Sequence, residues 1–125
     1  MVERTVRSYD HLDIIFNNVG IFNNHQGILD LDLTTCDHLF AVKVWGMATC
    51  VKHVVQSIVV TGVKGSIVCM ASMVATSRAE NYNDYVMSKH AMLGLVRSAS
   101  RYLGKHGIKV NCVSPSALTT PTSIN

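Results

Sequence analysis

Residues 65–72 read Gly-Ser-Ile-Val-Cys-Met-Ala-Ser. Between the glycine and the final serine, residues 66–71 form a short apolar run. Runs of this length that are rich in Ile and Val and bounded by turn residues read as strands buried in a parallel sheet. A helix segment is the alternative for any one run taken alone. Two more runs of the same kind, residues 12–16 and Ile108–Val113, lie on either side in the chain. Gly20, Gly65, Gly107 and Pro115 flank the three runs and favour strands.

Two longer segments separate the runs. Residues 33–60 space apolar and small side chains near 3.6 residues through Leu39, Val42, Trp45 or Gly46, Thr49, Cys50, His53 and Val54, with Asp32 or Thr34 available as a cap. Residues 82–102 carry Tyr85, Met92, Leu93 and Val96 at helical spacing, with Leu103 next. Asn83 or Asp84 stands near the start, and Gly104 and Gly107 stand where a C-terminal cap is wanted. The order is strand, helix, strand, helix, strand. Parallel strands joined by right-handed crossovers follow. If both crossovers step the same way, both helices lie on one face, and the other face is left open apart from what residues 1–10 could cover. An open apolar face is costly, so the sequence reads as the middle of a larger domain.

Length and composition narrow the classes. A chain of 125 residues with 48% apolar and 15% charged residues suits one domain with a sizeable core. Eleven Lys and Arg against eight Asp and Glu give +3, scattered without a basic run, so no nucleic-acid partner is expected. Cys36, Cys50, Cys69 and Cys112 form no Cys-x-x-Cys pair, and the six His stand at no metal spacing; no metal site is expected, and reduced thiols are. No run of about 18 uninterrupted apolar residues occurs, so no membrane span is expected. A cytoplasmic setting follows from these expectations, with organellar targeting left open.

Chemistry concentrates at the strand ends. Tyr85 and Lys89 are four apart in the second helical segment and so share a face. An ammonium beside a phenol stabilises the phenolate, which equips a Tyr for proton transfer. The pair taken alone is equally an exposed helix pair. Ser72 follows the second run directly, where ligands bind in open parallel sheets, although a Ser there also serves as a simple loop cap. Asn17-Asn18-Val19-Gly20 closes the first run: its amides can tie strand ends together, and Gly20 permits close approach of a ligand, or the four form an ordinary turn. Asn111, Ser114-Pro115 and Thr119-Thr120-Pro121 form a last polar island.

Taken together, these islands resemble the short-chain dehydrogenase/reductases, a Rossmann-fold family that uses NAD or NADP. Asn17–Gly20 is similar to the family's Asn-Asn-Ala-Gly, residues 65–72 to the strand leading to the catalytic Ser, Tyr85 to Lys89 to Tyr-x-x-x-Lys, and residues 110–115 to the strand before the cofactor loop. The likeness runs from about Val6 to Pro121. It is finest toward the plant secoisolariciresinol- and isopiperitenol-dehydrogenase branch, through residues 12–20, 27–33 and 89–115.

The resemblance implies an α/β fold: part of a doubly wound Rossmann domain over residues 1–125, with three parallel strands and two crossover helices. It implies oxidation of a secondary alcohol or reduction of a ketone, on a bulky cyclic substrate of terpenoid or lignan type. Tyr85 would exchange the proton, Ser72 would hydrogen-bond the substrate oxygen, and Lys89 would hold the nicotinamide ribose. Asn18 and Gly20 would line the adenosine side of the cofactor, and Pro115, Leu118 and Thr120 its carboxamide. NAD is the favoured cofactor. The two helices would form a homo-oligomer interface, in which Trp45 or Met92 could sit.

Two departures from the family pattern stand out. The glycine-rich first βα unit, which supplies amides for the pyrophosphate, is absent, so the chain reads as truncated. Lys43, in Val-Lys-Val-Trp-Gly, stands where the family carries a catalytic Asn that kinks the helix and holds a relay water. A Lys accepts no hydrogen bond, adds a second cation near Lys89, and is expected to weaken proton transfer. The rival expectation is therefore a catalytically silent chain that acts through its helix surfaces.

Overall fold

In a computed structural model the described residues are 1–116. Three strands, β1 (Ile14–Asn17), β2 (Gly65–Met70) and β3 (Ile108–Val113), form one parallel sheet in the order β1-β2-β3. The first strand starts two residues later than its apolar run, because its pairing begins at Ile14 opposite Ser66. The crossover from β1 to β2 is helical from Leu33 to Thr61: α2 (Leu33–Phe40), a π-helical turn (Ala41–Trp45) and α3 (Gly46–Thr61). The second crossover is α4 (Asn83–Leu103), and a short helix, α1 (Val2–Tyr9), precedes the sheet.

Local chemistry sets the helix ends. Asp32 caps α2, its Oδ1 accepting from the Thr34 amide at 3.0 Å. The Thr35 hydroxyl and the backbone amides hold the Asp32 carboxyl below the usual carboxylate range. Gly62 ends α3 in the left-handed region, and Gly107 does the same after the turn that follows α4, so Gly107 rather than Gly104 supplies the left-handed cap there.

Each strand turns one set of side chains toward the helices. In register, Ile15, Ile67 and Val110 form one row, and Asn17, Cys69 and Cys112 form the next. Against these rows pack Met47, Val51, Val54 and Ile58 of α3 and Met92, Val96 and Leu103 of α4. The Cys69 thiol, pushed up to about 11 mainly by burial, behaves as a small apolar side chain. The opposite rows leave Ile14, Phe16 and Val113 exposed, and among the described residues no helix covers them. Successive same-handed steps across a sheet have this result.

The buried stripe of the long helix is Cys36, Leu39, Lys43, Met47, Val51, Val54 and Ile58. This corrects the sequence-based phase, which ran through Val42, Thr49 and His53. A lysine in the stripe disguised it, and an equally spaced partly apolar row lies one residue away. Trp45 stands 67% exposed, whereas Met92 lies in the core at 2%. The helix Leu33–Thr61 is long and apolar enough to cross a membrane by length and mean hydropathy alone, although Lys43 and Lys52 interrupt its apolar residues. Met47, Val51, Val54 and Ile58 of its buried stripe pack against the sheet, Lys43 lies within that stripe, and Lys52 lies on the exposed side.

Gly65 is tied to this packing. A Cβ there would lie 2.6 Å from Ile58 Cδ1 and 3.1 Å from Ile58 Cγ2, and Ile58 is fully buried. Gly65→Ala is expected to cost roughly 1–3 kcal/mol by overpacking. Ile58→Val removes the clashing methyl and should recover part of that loss. Urea unfolding of the single and double variants measures the coupling, and additive losses would show that the two positions do not meet.

Candidate active site

The ends of β1, β2 and β3 open toward one loop cluster. Gln26 organises it: its amide donates to the Asn81 carbonyl at 2.7 Å, and its carbonyl accepts from the Asn83 backbone at 3.0 Å and from Asn83 Nδ2 at 2.7 Å. Its side-chain oxygen accepts from the Asp32 amide at 3.1 Å. The loop after β1 is thereby pinned to the start of α4. Asn81 and His25 take left-handed backbone at this junction, a region that Asn and His tolerate better than most residues. Asn23 adds a second tie, donating to Asp84 Oδ2 at 2.8 Å.

Asp84 is completely buried in the first turn of α4, where a carboxylate is favoured by the helix N-terminus, and its Oδ1 accepts from the Tyr85 amide at 2.7 Å. Tyr85 follows, half-buried, with Phe22 edge-on at 5.3 Å between ring centres. Lys89, one turn on and 5% exposed, donates from Nζ to the Met70 carbonyl at 2.9 Å, and that Nζ lies 5.6 Å from the Tyr85 ring centre. Burial holds the Lys89 amine below the ordinary lysine value. The helix pair is therefore attached to the C-terminal end of the central strand, two residues ahead of Ser72.

Ser72 begins the turn Met73–Ala75, its Oγ accepting from the Val74 amide at 3.4 Å. That bond is the simple capping role, and it leaves the hydroxyl proton free to donate. The Pro115 carbonyl accepts from the Met73 amide at 3.1 Å, which draws the end of β3 to the same rim. Asn18 and Val19 border a hollow of about 540 Å³ together with Phe16, Asn17, Val42 and Gly46. The Asn17 amide does not tie strand ends together: its Nδ2 is buried and has no partner among the described residues. Leu118 and Thr120 lie outside the described residues.

Lys43 is the group whose importance the sequence understated. It is 4% exposed, and its Nζ stands 4.1 Å from the Tyr85 ring centre. A Cβ on Gly20 would meet its Cε at 3.3 Å and its Nζ at 3.5 Å, so a glycine there leaves the room this side chain occupies. Burial first, and the Lys89 charge second, lower the Lys43 amine from 10.5 to about 8, against the opposing pull of Asp84. The fall corresponds to roughly 3 kcal/mol against the charged form. A cation–π contact returns about 0.5–2 kcal/mol, so desolvation wins. The missed signals were the Asp directly before Tyr85 and the lysine on the buried helix stripe. Phe22 and Asn23 gave none.

A nicotinamide cofactor fits the groups present. Lys89 keeps donors beyond the Met70 bond, Ser72 keeps its proton, and the orphaned Asn17 Nδ2 marks a buried donor wanting an acceptor. This cluster can bind a polar oxygen and move a proton beside a cationic wall.

A family model described as enoyl-(acyl carrier protein) reductase matches residues 1–125. A (+)-cis,trans-nepetalactol synthase of Nepeta racemosa is 46% identical over 122 residues, covering 97% of this chain and 45% of that protein. The mitochondrial (-)-isopiperitenol/(-)-carveol dehydrogenase of Mentha piperita is 45% identical over 122 residues, covering 97% of this chain and 46% of that protein. Among solved structures, an NAD+-bound xylitol dehydrogenase superposes with a TM-score of 0.92 at 26% identity, covering 98% of this chain and 46% of that one. The chain thus spans about half the length of the relatives it matches.

The Lys43 shift makes a stability prediction. The folded amine titrates near 8 and the unfolded one near 10.5, so the unfolded state holds the extra proton between those values and stability rises with pH across that window. Lys43→Asn removes this titration, so its stability relative to the parent is expected to be more favourable at pH 7 than at pH 10 by roughly 2–3 kcal/mol. Urea melts at both pH values measure it, and an equal gain at both would remove Lys43 titration as the cause.

Proposed function

The chain belongs to the short-chain dehydrogenase/reductase family, and on that premise we propose that it serves an NAD(P)-dependent oxidoreductase site interconverting a secondary alcohol and a ketone. The observation that carries the proposal is the Lys89 Nζ bond to Met70, which holds an ammonium beside the Tyr85 phenol at the rim of the central strand, next to Ser72. Tyr85 would take the hydroxyl proton of an alcohol, or give a proton to a ketone oxygen. Ser72 Oγ would donate to the same oxygen and steady the charge that develops on it. Lys89 would stabilise the phenolate and hold a ribose hydroxyl with a free N–H. Asn18 and Gly20 would border the adenosine side, and Pro115, Leu118 and Thr120 the carboxamide. A bound nicotinamide would supply the hydride donor or acceptor. NAD is the proposed form. A bulky cyclic terpenoid alcohol is the proposed substrate, supported by the plant relative named for isopiperitenol and carveol.

A second function is favoured by Lys43 at the family's Asn position and by the exposure of Trp45: a chain silent in catalysis that self-associates through α3 and α4. Sedimentation would report such an oligomer.

The enzyme is tested by incubating the purified chain with NAD+ and carveol and following reduced-cofactor absorbance. Tyr85→Phe is expected to lower the rate at least about a hundredfold while leaving cofactor fluorescence titration unchanged. No cofactor binding at millimolar concentration, or a Tyr85→Phe variant as fast as the parent, would remove the oxidoreductase assignment.

A further inference from the structure

Tyr85 can move a proton to or from a substrate oxygen only if its ring is held in one direction. Phe22, in the loop after β1, meets that ring edge-on, with ring centres 5.3 Å apart and planes at 73°. Phe22 also leans on Tyr82, with ring centres 5.2 Å apart. Yet Phe22 is 55% exposed, so burial of its own ring does not account for its place. Something else must hold this part of the loop against Tyr85.

The next residue supplies the hold. Asn23 Nδ2 donates to Asp84 Oδ2 at 2.8 Å, across 61 residues of chain, and to the Thr35 carbonyl at 3.4 Å. Asp84 directly precedes Tyr85, and its Oδ1 accepts from the Tyr85 amide at 2.7 Å. One carboxylate therefore grips the backbone beneath Tyr85 with one oxygen and, through Asn23, the residue after Phe22 with the other. A carboxylate that only complements a helix N-terminus can stand in water. Asp84 is completely buried, a costly place for a charge unless it is well bonded, and both of its oxygens are bonded. The Gln26 bonds to Asn81 and Asn83 fasten the same loop three residues further on.

We propose that Asp84 is a positioning residue for the Tyr85 phenol: bonded to Asn23, it keeps Phe22 edge-on to the Tyr85 ring and so fixes the direction in which that ring presents its hydroxyl. The use of this arrangement rests on the proton transfer proposed above for Tyr85, whereas the arrangement itself is measurable without turnover. Its chemistry sets the test. Asp84→Asn offers one oxygen and one NH2 group, so it cannot accept from both Tyr85 and Asn23. Asn23→Ala removes the same bond from the half-buried side and leaves the bond to the Tyr85 amide in place. The exchanged pair, Asn23→Asp with Asp84→Asn, restores both bonds: the oxygen at position 84 accepts from the Tyr85 amide, and the NH2 group there donates to the carboxylate at position 23.

NMR spectra of the tyrosine rings in the full chain read the arrangement, because the Phe22 ring shifts the Tyr85 signals. Tyr85→Phe assigns those signals, and Phe22→Ala shows where they lie without that neighbour. Asn23→Ala and Asp84→Asn are expected to move them toward the Phe22→Ala positions, and the exchanged pair to return them toward the parent. With NAD+ and carveol, Phe22→Ala, Asn23→Ala and Asp84→Asn are expected to lower kcat about tenfold with cofactor affinity unchanged, and the exchanged pair to recover most of the loss. Phe22→Ala should keep the parental urea midpoint, since Phe22 is exposed, which separates lost position from lost stability. Tyr85 signals that stay in place in Asn23→Ala, or a folded exchanged pair that behaves like the single variants, overturn the proposal. So does a parental kcat in Phe22→Ala. A parent chain without turnover whose signals move as expected keeps the positioning of the ring and removes the oxidoreductase, and turnover with unmoved signals does the reverse.

Discussion

Parallel strands can be joined only by segments that travel back over the sheet, and this constraint fixes where everything else in the chain lies. Both crossovers return on the same side, so β2 is central, and the buried stripes of α3 and α4 meet over Ile67 and Cys69. All three strands then end at one rim. Ser72, Gly20 and Pro115 reach that rim because each follows a strand end, and Tyr85 and Lys89 reach it because the returning helix starts there. The Lys89 bond to Met70 closes the arrangement, fastening the start of one crossover to the end of the strand before it.

The strands were legible because burial in a parallel sheet leaves continuous apolar runs; Ile108–Val113 forms the expected strand residue for residue. The second helix was legible within a residue at each end because its stripe from Tyr85 to Leu103 is regular. The first helix had legible ends and an illegible phase. Its stripe contains Lys43, and sequence reasoning puts charged residues outside. Here the competing row through Val42, Gly46 and Thr49 is small and apolar enough to imitate a core face, while Met47, Val51 and Ile58 do the packing. The loop after β1 was illegible for a different reason. Its order comes from bonds such as Asn83 Nδ2 to the Gln26 carbonyl and Asn23 Nδ2 to Asp84, which join residues some sixty apart and leave no periodic trace.

Lys43 also shows how a site can be legible as chemistry and not as geometry. Its place against the family's Asn was visible in Val-Lys-Val-Trp-Gly, and so was the addition of a second cation near Lys89. The π-helical turn around it and the ring it meets were not visible, because a single extra residue in a helical turn has no composition signature. π-helical turns recur at functional positions, where they aim a side chain that regular geometry would place elsewhere. In this chain the turn carries the buried Lys43 Nζ to the face of the Tyr85 ring.

Two lysine amines lie over one aromatic ring in a poorly solvated place. Burial disfavours the charge on both, and the Lys89 charge disfavours that on Lys43 further. Lys89 has a carbonyl acceptor and donates to it, whereas Lys43 has only a ring face, and the Lys43 amine falls to about 8, first through burial and second through the Lys89 charge. Asp84, buried behind them and held by Asn23 and the Tyr85 amide, limits that fall without reversing it. Lys89 is the lysine with a hydrogen-bond acceptor, and Lys43, with none among the described residues, is the one whose charge is the more disfavoured. An Asn in place of Lys43 would carry no charge for burial to disfavour.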